Sequence, residues 1–155
     1  MAIYVKISQV ALVTMWTNLA KAEENDVVVY YFSGHGAQER GDAVWKKDES
    51  DGALETQVCY DSRDREGTPD LADKELSHLI WQYTTKTKKQ LHFLAIFDCC
   101  HAGTVTRNRE YLNRMATTNT NEIQLESFLG YEDYFVDESR KAYQPKVGEH
   151  IVLSA

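Results

Sequence analysis

Apolar residues along the chain form short continuous runs that are typical of buried strands. The runs are VVVYYF at 27–32, LHFLAIF at 91–97 and HIVLS at 150–154. They are rich in β-branched and aromatic side chains, which pack well on a pleated sheet. A run without polar positions indicates a strand covered on both faces, as in parallel sheets. We therefore predict three core strands.

Other segments place apolar residues three or four positions apart, which is the spacing of one helix face. The first spans 8–24 with Ser8 as a suitable N-cap, and the second spans 72–83 with Asp73 in that role. A further helix is expected over 103–112. The apolar positions are Leu12, Trp16, Leu19 and Ala20 in the first segment and Leu76, Leu79, Ile80 and Tyr83 in the second.

Polar residues dominate the stretches between these elements. A long polar loop is expected after the first strand, with a short strand at Gln57–Tyr60, and residues 115–127 are expected to form another loop. Residues 39–75 contain 12 Asp or Glu against 6 Lys or Arg. Such a stretch is usually a solvated face, and substrate attraction or ion binding is the alternative.

The order strand, helix, strand, helix, strand predicts an α/β fold with parallel central strands and helices packed on the sheet. Ligands bind such sheets beyond the carboxyl ends of the strands. The motifs SGHG at 33–36 and DCCHAG at 98–103 each follow a buried strand. We therefore expect the two motifs to face one another at the same edge of the sheet.

Composition narrows the class of protein. A length of 155 residues suits one domain, and 43% hydrophobic residues describe a globular one. No apolar run approaches the roughly 20 residues of a membrane span, so we expect no membrane partner. A net charge of −7 disfavours nucleic acid as a partner. Three cysteines, two of them adjacent, make a poor disulfide framework and favour a reducing, cytoplasmic location.

The two motifs contain the residue types of a Cys–His acyl-transfer site. An ordinary thiol, with a pKa of about 8.5, needs a base to become a nucleophile near neutral pH, and histidine is suited to that task. His101 directly follows Cys100, and adjacent side chains diverge, so His35 between two glycines is the candidate base. The amides of Gly36 and of the nucleophilic cysteine are candidate donors to an oxyanion. These residues leave open whether Cys99 or Cys100 attacks.

Metal binding or a purely structural role is the alternative for each of these residues. Zinc bound by Cys99, Cys100, His101 and His35 is disfavoured, because adjacent ligands chelate poorly and the usual ligand spacing is absent. A cysteine at a strand end is often a small buried hydrophobic residue, and Asp98 could cap the following helix. The residues expected to be structural or at the surface are Cys59, His78, His92 and His150.

The motifs YYFSGHGAQ and IFDCCHAG, whose His35 and Cys100 are 65 positions apart, resemble those of the caspase-like cysteine peptidases, in particular the metacaspase and orthocaspase branch. The resemblance covers residues 8–155. It implies a three-layer sandwich with a mostly parallel central sheet and helices on both faces. It also implies that His35 is the general base and Cys100 the nucleophile, while Cys99 takes a position that varies in the family.

The resemblance further implies cleavage after Arg or Lys, with Asp98 and Ser33 shaping the substrate pocket. A carboxylate in a low-dielectric slot pairs well with a guanidinium, which supports that choice on physical grounds. The expected partner is a polypeptide with a basic residue at the cleavage site. Self-cleavage is an alternative, because arginines and lysines lie after the nucleophile at Arg107, Arg109, Arg114, Arg140 and Lys141.

The chain also departs from the family pattern. We expect it to lack the family's first strand and its C-terminal subdomain. Residues 1–155 are then expected to be one incomplete catalytic domain, with the rest of the same protein or a regulatory protein as a possible partner. No cofactor is expected. Calcium activation is disfavoured, because Asp73 fits one ligand position but Lys74 replaces the next acid. A catalytically silent scaffold or regulatory module is the alternative function.

Overall fold

The computed structural model describes residues 17, 19, 21–41, 53–63, 68–88, 90–99, 119–137, 142–144 and 146–154. Within the first predicted helix, Thr17 and Leu19 are helical and the rest of 8–20 lies outside the described residues. The helix predicted over 103–112 and the nucleophile candidate Cys100 also lie outside them. The strands are β1 (Val27–Ser33), β2 (Gly36–Gly41), β3 (Ala53–Gln57), β4 (Leu71–Ala72), β5 (His92–Asp98), β6 (Asn119–Ile123), β7 (Phe135–Asp137), β8 (Ala142–Gln144) and β9 (Ile151–Ser154).

The three predicted core strands form one parallel sheet in the order β1-β5-β9. This confirms the α/β class with parallel central strands. β5 lies in the middle of the sheet and pairs with β1 along its whole length and with β9 from Leu94 to Phe97. Parallel strands of this kind need a crossover between them, and the helix α1 (Asp73–Trp81) lies in the connection from β1 to β5.

The core lies between one face of this sheet and α1. Val28, Tyr30 and Phe32 alternate with exposed residues along β1 and point into this core, because strand side chains alternate between faces. The predicted helical face is confirmed: Leu76, Leu79 and Ile80 are buried there, and Tyr83 packs against the same cluster. The cluster also includes Phe93, Ala95, Phe97, Cys59, Leu71 and Cys99.

The other face of the sheet differs from the prediction. Val27 and Tyr31 are 69% and 55% exposed, and the residues of β9 are exposed as well. The prediction that β1 is covered on both faces is therefore wrong for the structure as described, whereas Leu94 and Ile96 on the same face of β5 are half-buried. An uninterrupted apolar run indicates a strong strand propensity, but it does not show that both faces are covered. The side chains on this second face of the sheet pack against no described element. Helices on both faces, and so the three-layer sandwich, stay a prediction.

The apolar pattern of the sequence did not predict a second sheet. Its order is β4-β3-β2-β6, with β3 antiparallel to both β2 and β4 and with β6 parallel to β2. The polar loop expected after the first strand begins as β2. The strand expected at Gln57–Tyr60 is wrong except for Gln57, because β3 spans Ala53–Gln57. β2 reads GAQERG, and its buried Glu39 has the wrong polarity for a hydrophobic pattern to detect.

The start of α1 differs by one position from the prediction. Ala72 is the N-cap and Asp73 the first helical residue, so the assignment of Asp73 as N-cap is wrong. The reason is Glu75, whose carboxylate reaches back to accept the N–H of Ala72 at 2.9 Å. It also accepts the N–H of Leu129 at 2.8 Å and so joins the helix to a later segment. A π-helical turn, Gln82–Lys86, continues α1.

The predicted loop at 115–127 is also partly wrong. Residues 119–123 form β6, and two 3₁₀ turns follow at Leu125–Ser127 and Tyr131–Asp133. Leu54, Phe128 and Tyr134 belong to a second apolar cluster beneath this segment. No helix in the described part of the chain is long and apolar enough to cross a membrane.

Candidate active site

The carboxyl ends of β1 and β5 bring the two sequence motifs together. The strands pair in register from Val27 opposite His92 to Ser33 opposite Asp98. Ser33 Oγ donates a hydrogen bond to Asp98 Oδ2 at 3.0 Å, and the N–H of Gly34 donates to the carbonyl of Asp98 at 3.4 Å. The expectation that the motifs share one sheet edge is confirmed for the described residues of each.

His35 lies just past this edge, between the two sheets. Its side chain is exposed to solvent, and its carbonyl accepts the N–H of Val58 at 3.0 Å. Gly34 before it has no room for a side chain, since a Cβ would lie 2.9 Å from Cζ of Phe32. The glycine therefore lets the chain pass tightly over the end of β1 before it enters β2.

Gly36 opens β2 opposite Gln57 of β3 and is buried. The bond from Val58 to His35 makes Gly36 and Gln57 a non-hydrogen-bonded pair of the antiparallel ladder. In such a pair the amides point outward from the partner strand. The N–H of Gly36 is therefore directed away from β3.

The described cysteines are packed in the core. Cys99 is 3% exposed and belongs to the main apolar cluster, which confirms its expected role as a packed side chain. Cys59 is also buried, and burial raises the pKa of its thiol to about 12. A thiol with so high a pKa is protonated at neutral pH and is a poor nucleophile. Cys100 lies outside the described residues, directly after Cys99 in the chain.

The remaining histidines have the structural or surface positions expected of them. His78 is buried in α1 with its ring near those of Trp81 and Tyr134. His92 is exposed at the start of β5, and a ring nitrogen of His150 lies 2.7 Å from the carbonyl of Gly148.

Carboxylates of the acidic stretch are engaged with the protein itself. Asp70 pairs with Arg63, and Asp73 accepts bonds from the N–H and the ammonium of Lys74. Within the ranges that the structure describes, no three histidine, cysteine or carboxylate side chains are grouped so as to hold a metal ion. The expectations that no cofactor is needed and that calcium does not activate the protein stay predictions.

A buried hydrogen bond between the sheets was not foreseen. The hydroxyl of Tyr30 on β1 donates to Oε1 of Gln57 on β3 at 2.6 Å. The two residues are 27 positions apart. Tyr30 begins the motif YYFSGHGAQ, but no local signal pairs it with Gln57. A separate cleft between α1, β3 and β5 does not include Ser33, His35 or Asp98. Its lining includes Glu55, Asp73, Leu76, Phe97 and His150.

Comparison with known proteins agrees with the motifs at this edge. The family model described as metacaspase, peptidase C14 domain, matches residues 8–108. The chain belongs to the metacaspase family. It is 28% identical over 86 residues to metacaspase-2 and, to the same degree, to metacaspase-3 of Trypanosoma brucei brucei. No solved structure gives a significant match.

Membership in the metacaspase family supports a cysteine peptidase domain. The aligned residues make up 54% of this chain and 21% of each trypanosome protein. The chain therefore spans about a fifth of the length of the curated relatives it matches. Metacaspase membership explains why a strand-end histidine motif and a strand-end cysteine motif occur in one chain. It does not by itself assign the dyad or the substrate.

Proposed function

We propose that this chain carries the catalytic centre of a cysteine endopeptidase that cleaves peptide bonds after Arg or Lys. Cys100 is the nucleophile and His35 the general base. The amides of Gly36 and Cys100 bind the oxyanion, and Asp98 and Ser33 recognise the basic side chain before the scissile bond.

The reaction follows from these roles. His35 takes the proton of the Cys100 thiol, and the sulfur attacks the substrate carbonyl to form a tetrahedral oxyanion, which the two amides stabilise. The C–N bond then breaks, and His35 gives its proton to the leaving amine, so that a thioester remains on Cys100. Water, deprotonated by His35, then attacks the thioester; the C–S bond breaks, the acid product leaves, and the proton returns from His35 to the Cys100 sulfur.

The observation that supports this proposal best is the in-register end of β1 and β5. It places Ser33 beside Asp98, with His35 two residues after one strand end and Cys100 two residues after the other in the sequence. The hydroxyl of Ser33 orients the Asp98 carboxylate, which favours bidentate pairing with a guanidinium. The outward direction of the Gly36 amide suits an oxyanion donor.

A thiol-reactive peptide probe with arginine before its warhead tests the proposal. The intact mass of the chain is expected to increase by one probe, and peptide mapping is expected to place the label on Cys100. Cys100→Ala should abolish labelling. Cys99→Ala is the matched control, because it removes a thiol at the adjacent position, and it should label normally. His35→Gln should slow labelling by about a hundredfold or more.

A probe with aspartate in place of arginine addresses specificity and should label far more slowly. Labelling of Cys99 or Cys59 instead of Cys100 would sink the assignment of the nucleophile. A chain that folds but does not react with either probe would favour the silent scaffold or regulatory module.

A further inference from the structure

We infer that the buried hydrogen bond between Tyr30 and Gln57 is a positioning contact for His35. Neither residue reaches the sheet edge at which Ser33 and Asp98 meet, and we assign neither to the chemistry itself. Both act through the backbone that carries the base. The inference rests on the proposed function, because it concerns the geometry of the base in that reaction.

The contact joins the two sheets inside the core. Tyr30 lies on β1 and is 3% exposed, while Gln57 lies at the end of β3 and is 5% exposed. The hydroxyl oxygen and Oε1 are 2.6 Å apart, a short distance for an O–H···O bond. Burial is the main cause that raises the pKa of Tyr30, so its hydroxyl stays protonated and is the donor. Because Gln57 is buried, leaving its carbonyl without this hydrogen bond would be costly.

The end of β3 in turn holds the backbone next to His35. Gln57 is the ladder partner of Gly36, and the next residue, Val58, donates its N–H to the carbonyl of His35 at 3.0 Å. His35 therefore depends on β3 on one side and on the end of β1 on the other. A closed ring of contacts results. It runs from Tyr30 on β1 through the hydrogen bond to Gln57 on β3, from Val58 to His35, and back along the chain to β1.

This ring explains how an exposed side chain can be held in place. The His35 imidazole is open to solvent, and its own packing cannot restrict it as a buried ring would be restricted. A base that is displaced by about 1 Å can lose on the order of a hundredfold in rate. The backbone on either side of His35 is the part that the fold controls, and the Tyr30–Gln57 bond controls the strand that holds it.

Tyr30→Phe tests the inference, because it removes the hydroxyl and keeps the ring. Amide hydrogen exchange at Val58 is expected to become about tenfold faster, as expected for the loss of one buried hydrogen bond. The ring signals of His35 in a histidine-labelled chain should shift. With an arginine reporter peptide, kcat should fall about tenfold or more while KM changes by less than about threefold.

Tyr134→Phe is the matched control. Tyr134 is also buried, at 8% exposed, and its hydroxyl donates to the carbonyl of Leu129 at 2.9 Å in the other apolar cluster. Tyr134→Phe makes the same chemical change as Tyr30→Phe, and it should leave the amide exchange of Val58, the ring signals of His35 and kcat unaltered. Gln57→Met removes the acceptor with a side chain of similar size, and it should reproduce the Tyr30→Phe effects even if Tyr30→Phe does not fold.

Unchanged Val58 exchange and His35 signals in both Tyr30→Phe and Gln57→Met would overturn the inference. Equal effects of Tyr30→Phe and Tyr134→Phe would overturn it as well, because they would indicate a general loss of stability. The exchange and ring signals do not require turnover. If the unaltered chain proves inactive while Val58 and His35 still respond to Tyr30→Phe, the positioning contact stands and the peptidase function fails.

Discussion

The ion pair of Asp70 with Arg63 fastens the connection between β3 and β4 to the second sheet. The Asp70 side chain is 0% exposed and that of Arg63 is 23% exposed. Arg63 Nε lies 3.1 Å from each carboxylate oxygen, and Nη2 lies 2.5 Å from Oδ2. Thr56 Oγ1 donates to Oδ2 at 3.0 Å. We predict that Asp70→Asn strongly destabilises the fold.

The magnitude follows from the burial of the carboxylate. Asparagine keeps the shape of the side chain and the bond from Thr56, but it removes the buried negative charge with which the Arg63 guanidinium pairs. Breaking a buried pair costs about 3–5 kcal/mol, and the 23% exposure of the Arg63 side chain places this pair at about 3 kcal/mol. With a urea m-value of about 2 kcal/mol per molar, the unfolding midpoint should fall by about 1.5 M.

The exposed ion pair of Lys86 with Asp133 is the natural control. Its nitrogen and oxygen are 3.1 Å apart, and the two side chains are 49% and 34% exposed. Asp133→Asn should therefore cost less than about 1 kcal/mol, or less than about 0.5 M urea. Its small effect should shrink further in 1 M salt, whereas that of Asp70→Asn should remain.

Urea unfolding followed by circular dichroism measures both variants. The double change Arg63→Met with Asp70→Asn should cost less than the sum of the single changes, because it removes the stranded charge. Equal midpoint shifts for Asp70→Asn and Asp133→Asn would refute the reasoning that burial sets the energy of these pairs.

Three further predictions concern other parts of the structure. Gly130→Ala should lower the unfolding free energy by about 2 kcal/mol, because Gly130 has a φ of +74° and a Cβ would fall on the ring of His78; thermal melting with and without His78→Ala measures this. Burial lowers the pKa of His78, so the unfolded chain takes up more protons below pH 6.5 and stability should fall as the pH drops below that value. Burial raises the pKa of Glu75, and this group stabilises the fold as the pH falls, opposite to His78. The effect of His78 is therefore isolated by comparing the urea midpoints of the unaltered chain and of His78→Gln at pH 7.5 and 5.5. Asp98→Asn should lower kcat/KM for an arginine reporter by about a hundredfold and leave a citrulline reporter nearly unchanged, while Ser33→Ala should cost less than about tenfold.

The sequence predicted the parts of the fold that depend on local apolar patterns. Three short apolar runs became the parallel sheet, and the helical spacing over 72–83 became α1 with the expected buried face. The pattern failed where polar residues are buried through partners distant in the chain. Glu39 is fully buried in β2, and its carboxylate accepts the N–H of Asp70, 31 residues away.

For the candidate site, the sequence by itself determined the residue types and their order. The glycine-flanked His35 and the strand-end Asp98 could be recognised in the sequence, because polar residues that directly follow or end an apolar strand stand out from the run before them. Only the tertiary structure decided that Ser33 bonds to Asp98, that Tyr30 bonds to Gln57 and that Val58 bonds to the carbonyl of His35. Those contacts depend on strand register and on the packing of one sheet against another, which no run of neighbouring residues encodes.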